Sequence, residues 1–261
     1  MHLVAANQLD GLRVVLVRPR NPLNIGAVAR AMSNFGSSHL RVVNPYDAGF
    51  REARSAVGAG EVLARAEVHG SVAEAVADCT LVVGTTSVGQ RDLQQPLKRL
   101  EAGAALIRRQ LGASRVALLF GSEKIGLKNE DFSHCHWLMR IPTRENHRSV
   151  NLGQAVAICL YELAREAPGN AEKHPLRTNA RDATSRSGRE PEPATAGELE
   201  RLASVLIETL GVSGYLKRQS ALNEEKVRRL LRRLNLSAED GETLLGMLRQ
   251  MLWKMAPGER R

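Results

Sequence analysis

Five short apolar runs, each followed by a stretch with helical spacing, constrain this chain more than any other feature. They are RVVLV at 13–17, LRVVN at 40–44, TLVVG at 80–84, VALLF at 116–120 and WLMRI at 137–141. Runs that are apolar throughout, instead of at alternate positions, fit strands covered on both faces. Helical patterns at 24–34, 53–63, 72–77, 101–110 and 151–166 alternate with them. This alternation predicts an α/β domain: a mostly parallel sheet with helices on both faces. Gly36 supplies a stop for the first helix, and Pro45 closes the second strand. In the last helix Leu152, Val156, Cys159, Leu160 and Leu163 form one core-facing stripe.

The pattern then breaks. Residues 168–197 hold almost no large apolar side chains, so they cannot bury enough surface to offset chain entropy. They read as a flexible linker. Periodicity returns with Leu199, Leu202, Leu206 and Leu210, then Val227, Leu230, Leu231 and Leu234, then Leu244, Leu245, Leu248 and Leu252. The expected organisation is a domain over 1–167, a linker over 168–197 and a small helical extension over 198–261.

Lysine and arginine total 37 against 28 acids, giving a net charge of +9. Such a balance is a footprint of phosphate binding, although arginine-rich coding alone also produces it. Aromatic residues make up only 3% of the chain, which argues against base stacking on an aromatic platform. No stretch approaches the about 18 uninterrupted apolar residues of a membrane span, and Met1-His2-Leu3 lacks a secretory layout. Cys79, Cys135 and Cys159 are an odd, scattered set. They predict no disulfide scaffold and a reducing cytoplasm. Lys226, Arg228, Arg229, Arg232 and Arg233 form a basic run that could grip an RNA backbone; for this segment alone a solvated helix face is the favoured reading.

Three segments carry more polar residues than a parallel sheet requires, and each follows a strand, where open parallel sheets bind ligands. In residues 18–36, Asn24 precedes a helical pattern, where its side chain can cap the helix or reach a ligand, Gly26 permits close approach and Arg30 lies one to two turns in. In residues 119–132, GSEKIGLK almost spells a phosphate loop. Leu127 and Lys128 fall where that loop needs lysine and a hydroxyl, so the chemistry is excluded. No G-x-G-x-x-G follows the first strand either. In residues 141–158, Ser149 or Asn151 can cap the helix after a polar run. His147 in that run either meets substrate or is solvated. His134-Cys135-His136 reads as strand, where neighbours face opposite ways, so no metal site is expected.

Together, in this order, the segments resemble the motifs of the SpoU/TrmH group of SPOUT methyltransferases. The matches are Asn24, Gly26, Ala29, Arg30, Phe35 and Gly36; then Phe120, Gly121, Glu123, Gly126 and Leu127; then Ser149, Asn151 and Leu152. LVVGTTS at 81–87 and the helical extension are similar to the TrmJ branch of that group. The resemblance implies a deep trefoil knot in the C-terminal part of the α/β domain, a rare exception to unknotted chains. It implies a homodimer, no metal, and S-adenosyl-L-methionine as cofactor. By motif position, Thr85, Thr86, Ser87, Gly121, Ile141, Ser149, Val150, Asn151 and Leu152 would contact it. The implied reaction is methyl transfer to a ribose 2′-hydroxyl of tRNA, at cytidine or uridine in anticodon-loop position 32.

Asn24, Arg30, Glu123 and Asn151 take the catalytic places. A guanidinium is a weak proton acceptor, so Arg30 is expected to fix ribose and phosphate and to stabilise developing alkoxide. Asn24 would orient Arg30 or the ribose, and Glu123 would hold Arg30 or sit at the dimer seam. Gly121-Ser122-Glu123-Lys124 stands where the TrmJ branch often has Gly-Arg-Glu-Arg. That departure keeps rRNA, or a non-catalytic RNA-binding role on the same fold, open as alternatives.

Overall fold

The computed structural model describes residues 9–46, 48–87, 93–165, 191–216 and 220–255. Its strands are β1 (Leu12–Val17), β2 (Leu40–Val43), β3 (Glu67–His69), β4 (Leu81–Thr85), β5 (Leu97–Arg99), β6 (Val116–Phe120) and β7 (Trp137–Arg140). They make one sheet in the order β3-β2-β1-β6-β4-β7-β5, parallel at every pairing. The five strands expected from the sequence are all present. The two not foreseen are the edges. β3 and β5 have three residues each, half in solvent, so no apolar run marks them.

Helices α1 (Pro22–Asn34), α4 (Leu100–Leu111) and α6 (Leu152–Ala164) cover one face; α3 (Val72–Val76) and the short α5 (Asn129–Ser133) cover the other. The alternation of side chains along a strand divides the core accordingly. Val14 and Leu16 pack with Val28, Met32, Val156 and Leu160, whereas Val15 and Val17 pack with Val76, Leu119 and Phe132. Truncating a fully buried side chain here, such as Leu118, costs about 2–5 kcal/mol.

The helix expected over 53–63 forms only as α2 (Gly60–Ala64). Upstream of it the chain makes a 3₁₀ turn (Ala48–Glu52) and then docks on α1. Ser55 Oγ donates to the Leu23 carbonyl at 2.7 Å, and Ala56 N lies 3.0 Å from where a Cβ on Gly26 would be. Gly58 then adopts φ +74°. Tertiary docking overrides an alanine-rich helical pattern.

The extension comprises α7 (Ala196–Val212), α8 (Ala221–Arg233) and α9 (Ala238–Met255), with Leu202, Ile207, Val227, Leu231 and Leu245 as its core. Of the expected linker, 168–190 lies outside the described residues. Residues 192–194 pair with 236–238 through Ala194 N to Leu236 O (2.9 Å) and Ala238 N to Glu192 O (2.8 Å). Thr195 caps α7 reciprocally with Glu198. The first amides of α7, from Ala196 and Gly197, donate to the carbonyls of Cys79 and Ala77 just after α3.

The basic run on α8 is neither a free grip nor a solvated face. Arg228 Nε donates to Glu200 Oε1 at 2.7 Å, and Arg229 pairs with Glu225 at 3.3 Å. Arg232, only 2% exposed, donates to the His134 carbonyl at 2.9 Å and lies 3.5 Å from Glu200. Only Lys226 and Arg233 face solvent. The His134–His136 segment is a turn between α5 and β7, not strand. His136 Nδ1 accepts the Val82 amide at 3.1 Å, and His134 Nδ1 is 3.5 Å from Glu200. Among the described residues no cluster has a metal-holding arrangement.

Burial pushes the Glu200 carboxyl up, but His134 and Arg228 outweigh it and hold it at about 2, below its ordinary 4.5. Burial, then Arg232, pushes His136 down to about 4 from 6.5. Both shifts weaken the fold in acid. The Glu200 contribution is complete above pH 4.5 and is lost as pH falls toward 2. The unfolded chain protonates at His136 below pH 6.5 while the folded chain resists, so stability also falls from pH 6.5 to 4. Arg232→Ala, which strands Glu200 with fewer partners, is expected to cost about 3–5 kcal/mol. Urea denaturation of the variant and wild type from pH 3 to 8 measures both effects.

Candidate functional site

Asn21, not Asn24, caps α1: its side chain accepts from Leu23 N at 2.9 Å, and Pro22 opens the helix. Asn24 therefore sits inside the first turn with both ends of its carboxamide free of capping. Its Nδ2 donates to Glu123 Oε1 at 2.8 Å, and its Oδ1 accepts from Asn151 Nδ2 at 3.1 Å. Asn151 caps α6, its Oδ1 accepting from Gly153 N (2.9 Å) and Gln154 N (3.4 Å). Glu123 also accepts the amides of Arg20 at 2.9 Å and Asn21 at 3.2 Å. One unbroken chain of hydrogen bonds thus joins the three polar segments.

Burial pushes the Glu123 carboxyl up, but the bonds from Asn24 and the amides of Glu123, Arg20 and Asn21 hold it below its ordinary value. It is an ionised acceptor. Its bonding differs from the expected hold on Arg30. Arg30 lies six residues beyond Asn24, about 9 Å further along the helix, and its side chain is exposed. The Arg20 and Asn21 amides were missed by sequence reasoning because backbone donors leave no residue signature.

Strands β6, β4 and β7 are neighbours, which brings Gly121, residues 85–87 and Ile141 to adjacent strand ends. Thr85 Oγ1 donates to the Leu119 carbonyl at 2.8 Å, and Thr86 N to the Met139 carbonyl at 2.9 Å. Ser87 and Ser149 are exposed, and Ile141 and Val150 are half-buried. Leu152 is buried in the core beneath α6.

Residues 121–127 fold back on themselves. Gly126 N donates to Ser122 O at 2.7 Å, Gly126 adopts φ +67°, and Leu127 is buried. A Cβ on Gly121 would lie 2.0 Å from the Gly126 carbonyl carbon, so only glycine permits this crossing. The amide of Gly126 is used internally and α5 starts only at Asn129, a further reason that no phosphate loop forms here.

A sequence model described as the SpoU rRNA Methylase family matches residues 11–161. A relative from Sodalis glossinidius, named tRNA (cytidine/uridine-2'-O-)-methyltransferase TrmJ, is 35% identical, covering 92% of this chain and 91% of its own. The protein of the same name from Salmonella typhimurium is 32% identical, covering 92% and 96%. The crystal structure of TrmJ from Z. mobilis ZM4 superposes with a TM-score of 0.76 at 33% identity, covering 92% of this chain and 98% of that one.

Two variants probe the geometry. Asn24→Ala removes one donor from Glu123 and one acceptor from Asn151. The Glu123 carboxyl is expected to rise toward its ordinary value, read by NMR titration, with about 0.5–1.5 kcal/mol lost in stability. Gly121→Ala forces backbone against backbone and is expected to lower thermal stability far more.

Proposed function

The chain belongs to the SpoU methylase family, and from that premise we propose that it methylates a ribose 2′-hydroxyl of tRNA, at cytidine or uridine, with S-adenosyl-L-methionine as donor. The observation that carries this reading is the hydrogen-bonded junction of Asn24, Glu123 and Asn151 at the carboxyl ends of the sheet. The names of relatives that align over nine-tenths of the chain support the substrate class. In these relatives the extension aligns too, which favours tRNA over rRNA.

The residues present fit the donor. The backbone crossing at Gly121 lies beside the segment 85–87, and half-buried Ile141 and Val150 offer apolar walls for an adenine. Thr86, Ser149 and the neighbouring backbone can meet its polar edges. When bound, S-adenosyl-L-methionine supplies a methyl group on a sulfonium, with a neutral thioether left behind.

The protein then has to place the hydroxyl and manage its proton. Glu123 is badly suited to removing that proton, because its oxygens already accept three donors and it stays ionised. We assign it, with Asn24, to positioning. Asn151 fixes the start of α6 and with it the loop before. Arg30 has no side-chain partner among the described residues, so its guanidinium is available to the ribose and adjacent phosphate, and to charge developing on the 2′-oxygen.

Arg30 shares the α1–α6 surface with Leu23, Ile158 and Tyr161, all exposed apolar side chains. That surface supports a homodimer in which the second copy completes the site. Among the described residues no helix is long and apolar enough to cross a membrane. Cys79, Cys135 and Cys159 are buried free thiols, the usage that a reducing cytoplasm favours.

Mass-spectrometric nucleoside mapping of tRNA and rRNA from a strain lacking the protein tests the reading. A 2′-O-methyl missing from one tRNA site is expected; a loss in rRNA, or none, would overturn it. Arg30→Ala is expected to lower methyl transfer by about 10²–10³-fold while calorimetry shows S-adenosylhomocysteine binding unchanged. Near-normal turnover would remove Arg30 from the chemistry.

A further inference from the structure

A pocket of about 280 Å³ opens at the carboxyl ends of β1, β2 and β6, whereas the segments assigned to the methyl donor follow β6, β4 and β7. Arg18, Arg20, Lys124, Asn44, Tyr46 and Ile125 line it. None of the roles given above uses these side chains.

Its geometry is built, not incidental. Arg18 and Asn44 each follow their strand directly, and both take the left-handed backbone that side-chain-bearing residues seldom adopt, at φ +52° and +45°. Arg18 N donates to the Val43 carbonyl at 2.8 Å, and Asn44 Nδ2 to the Gly70 carbonyl at 2.7 Å, so both bends are tied down. The Arg18 guanidinium is clamped by Asp131, which is 1% exposed and also accepts Lys128 N at 2.6 Å. Arg20 and Lys124 have no carboxylate within ion-pair distance among the described residues. Three cations therefore face one pocket, and of the three only Arg18 is ion-paired, to Asp131. Beside them the Arg20 guanidinium sits 5.1 Å from the ring centroid of Tyr46, itself 77% exposed. Ile125 forms an exposed apolar wall.

Excess positive charge next to an exposed aromatic ring suits an anion that carries a flat ring. The volume suits one nucleotide and excludes a duplex. Proximity fixes which nucleotide. The backbone amides of Arg20 and Asn21 bond Glu123, so the pocket wall and the positioning junction are the same stretch of chain. We propose that this pocket holds one unpaired nucleotide of the RNA, flanking the methylated one, with its phosphate on Arg20 and Lys124 and its base against Tyr46. The proposal rests on the RNA-methylation reading. It also amends the expectation from composition: aromatic residues are few, but one stands where a base can use it.

The test is binding of the full-length protein to a fluorescent single-stranded anticodon-loop oligoribonucleotide across a salt series, which does not depend on methyl transfer. Arg20→Ala and Lys124→Ala are each expected to weaken binding about tenfold and to flatten the salt dependence by about 0.7 per cation removed. Lys124→Arg should restore it. Tyr46→Ala is expected to weaken binding at least about fivefold with the salt slope kept, and Tyr46→Phe to bind as wild type. Unchanged affinity and slope in the Arg20→Ala, Lys124→Ala double variant would overturn the pocket. Equal affinity for uridine monophosphate and the oligonucleotide would overturn its assignment to a polymer. A wild type that binds no RNA overturns both this and the function above. Variant-sensitive RNA binding without any methyl transfer by the wild type overturns only the function.

Discussion

The carboxamide of Asn24, shared between Glu123 and Asn151, is the contact on which the candidate site depends. It connects positions 99 and 127 residues away from it in the chain. Exposed hydrogen bonds of this kind are each worth only about 0.5–1.5 kcal/mol, far too little to bring such distant segments together. The burden falls on the core. β1 pairs with β6 along five residues, which puts Glu123 beside the start of α1. α6 lies on α1 so closely that a Cβ on Gly153 would be 2.8 Å from that of Ala27. Packing brings the segments within reach, and the carboxamide then sets how their side chains face.

This division explains how far the sequence could be read. The central strands were legible because VALLF is apolar at every position and RVVLV at all but Arg13, the pattern of strands covered on both faces. The edge strands were not, because Glu67–His69 and Leu97–Arg99 bury too little to leave a pattern. Positions 24, 30, 123 and 151 could be singled out by motif, yet motif alone could not separate their contacts. Asn24 looked like a cap, but Asn21 holds that place and frees Asn24 to bridge. Leu152 sits next to Asn151 in the same motif, but its side chain belongs to the core. A motif marks a stretch of chain; which side chains leave the core is decided by the helix and strand phases around it.

Charge shows the same limit. The run from Lys226 to Arg233 has the composition of an RNA grip, yet Arg228 and Arg232 turn inward to Glu200 and the His134 carbonyl. Arg232 fastens the extension to the α/β domain, and Arg228 ties α8 to α7. Net charge therefore says little about where a polyanion would lie. The cations that matter are those without a carboxylate partner, and Arg20 and Lys124 lie 104 residues apart in sequence. Neither belongs to a basic run, and only the adjacency of β1 and β6 brings them together.

Glu123 shows how such an arrangement can select against the obvious chemistry. A carboxylate beside a ribose would ordinarily be the first choice for a base, and a base needs an elevated proton affinity and a free lone pair. Here the amides of Arg20 and Asn21 and the Asn24 carboxamide occupy the oxygens and lower that affinity. The same bonds make Glu123 rigid. In the function proposed above, the exposed guanidinium of Arg30, further along α1, is the charge that responds to the 2′-oxygen as it becomes anionic.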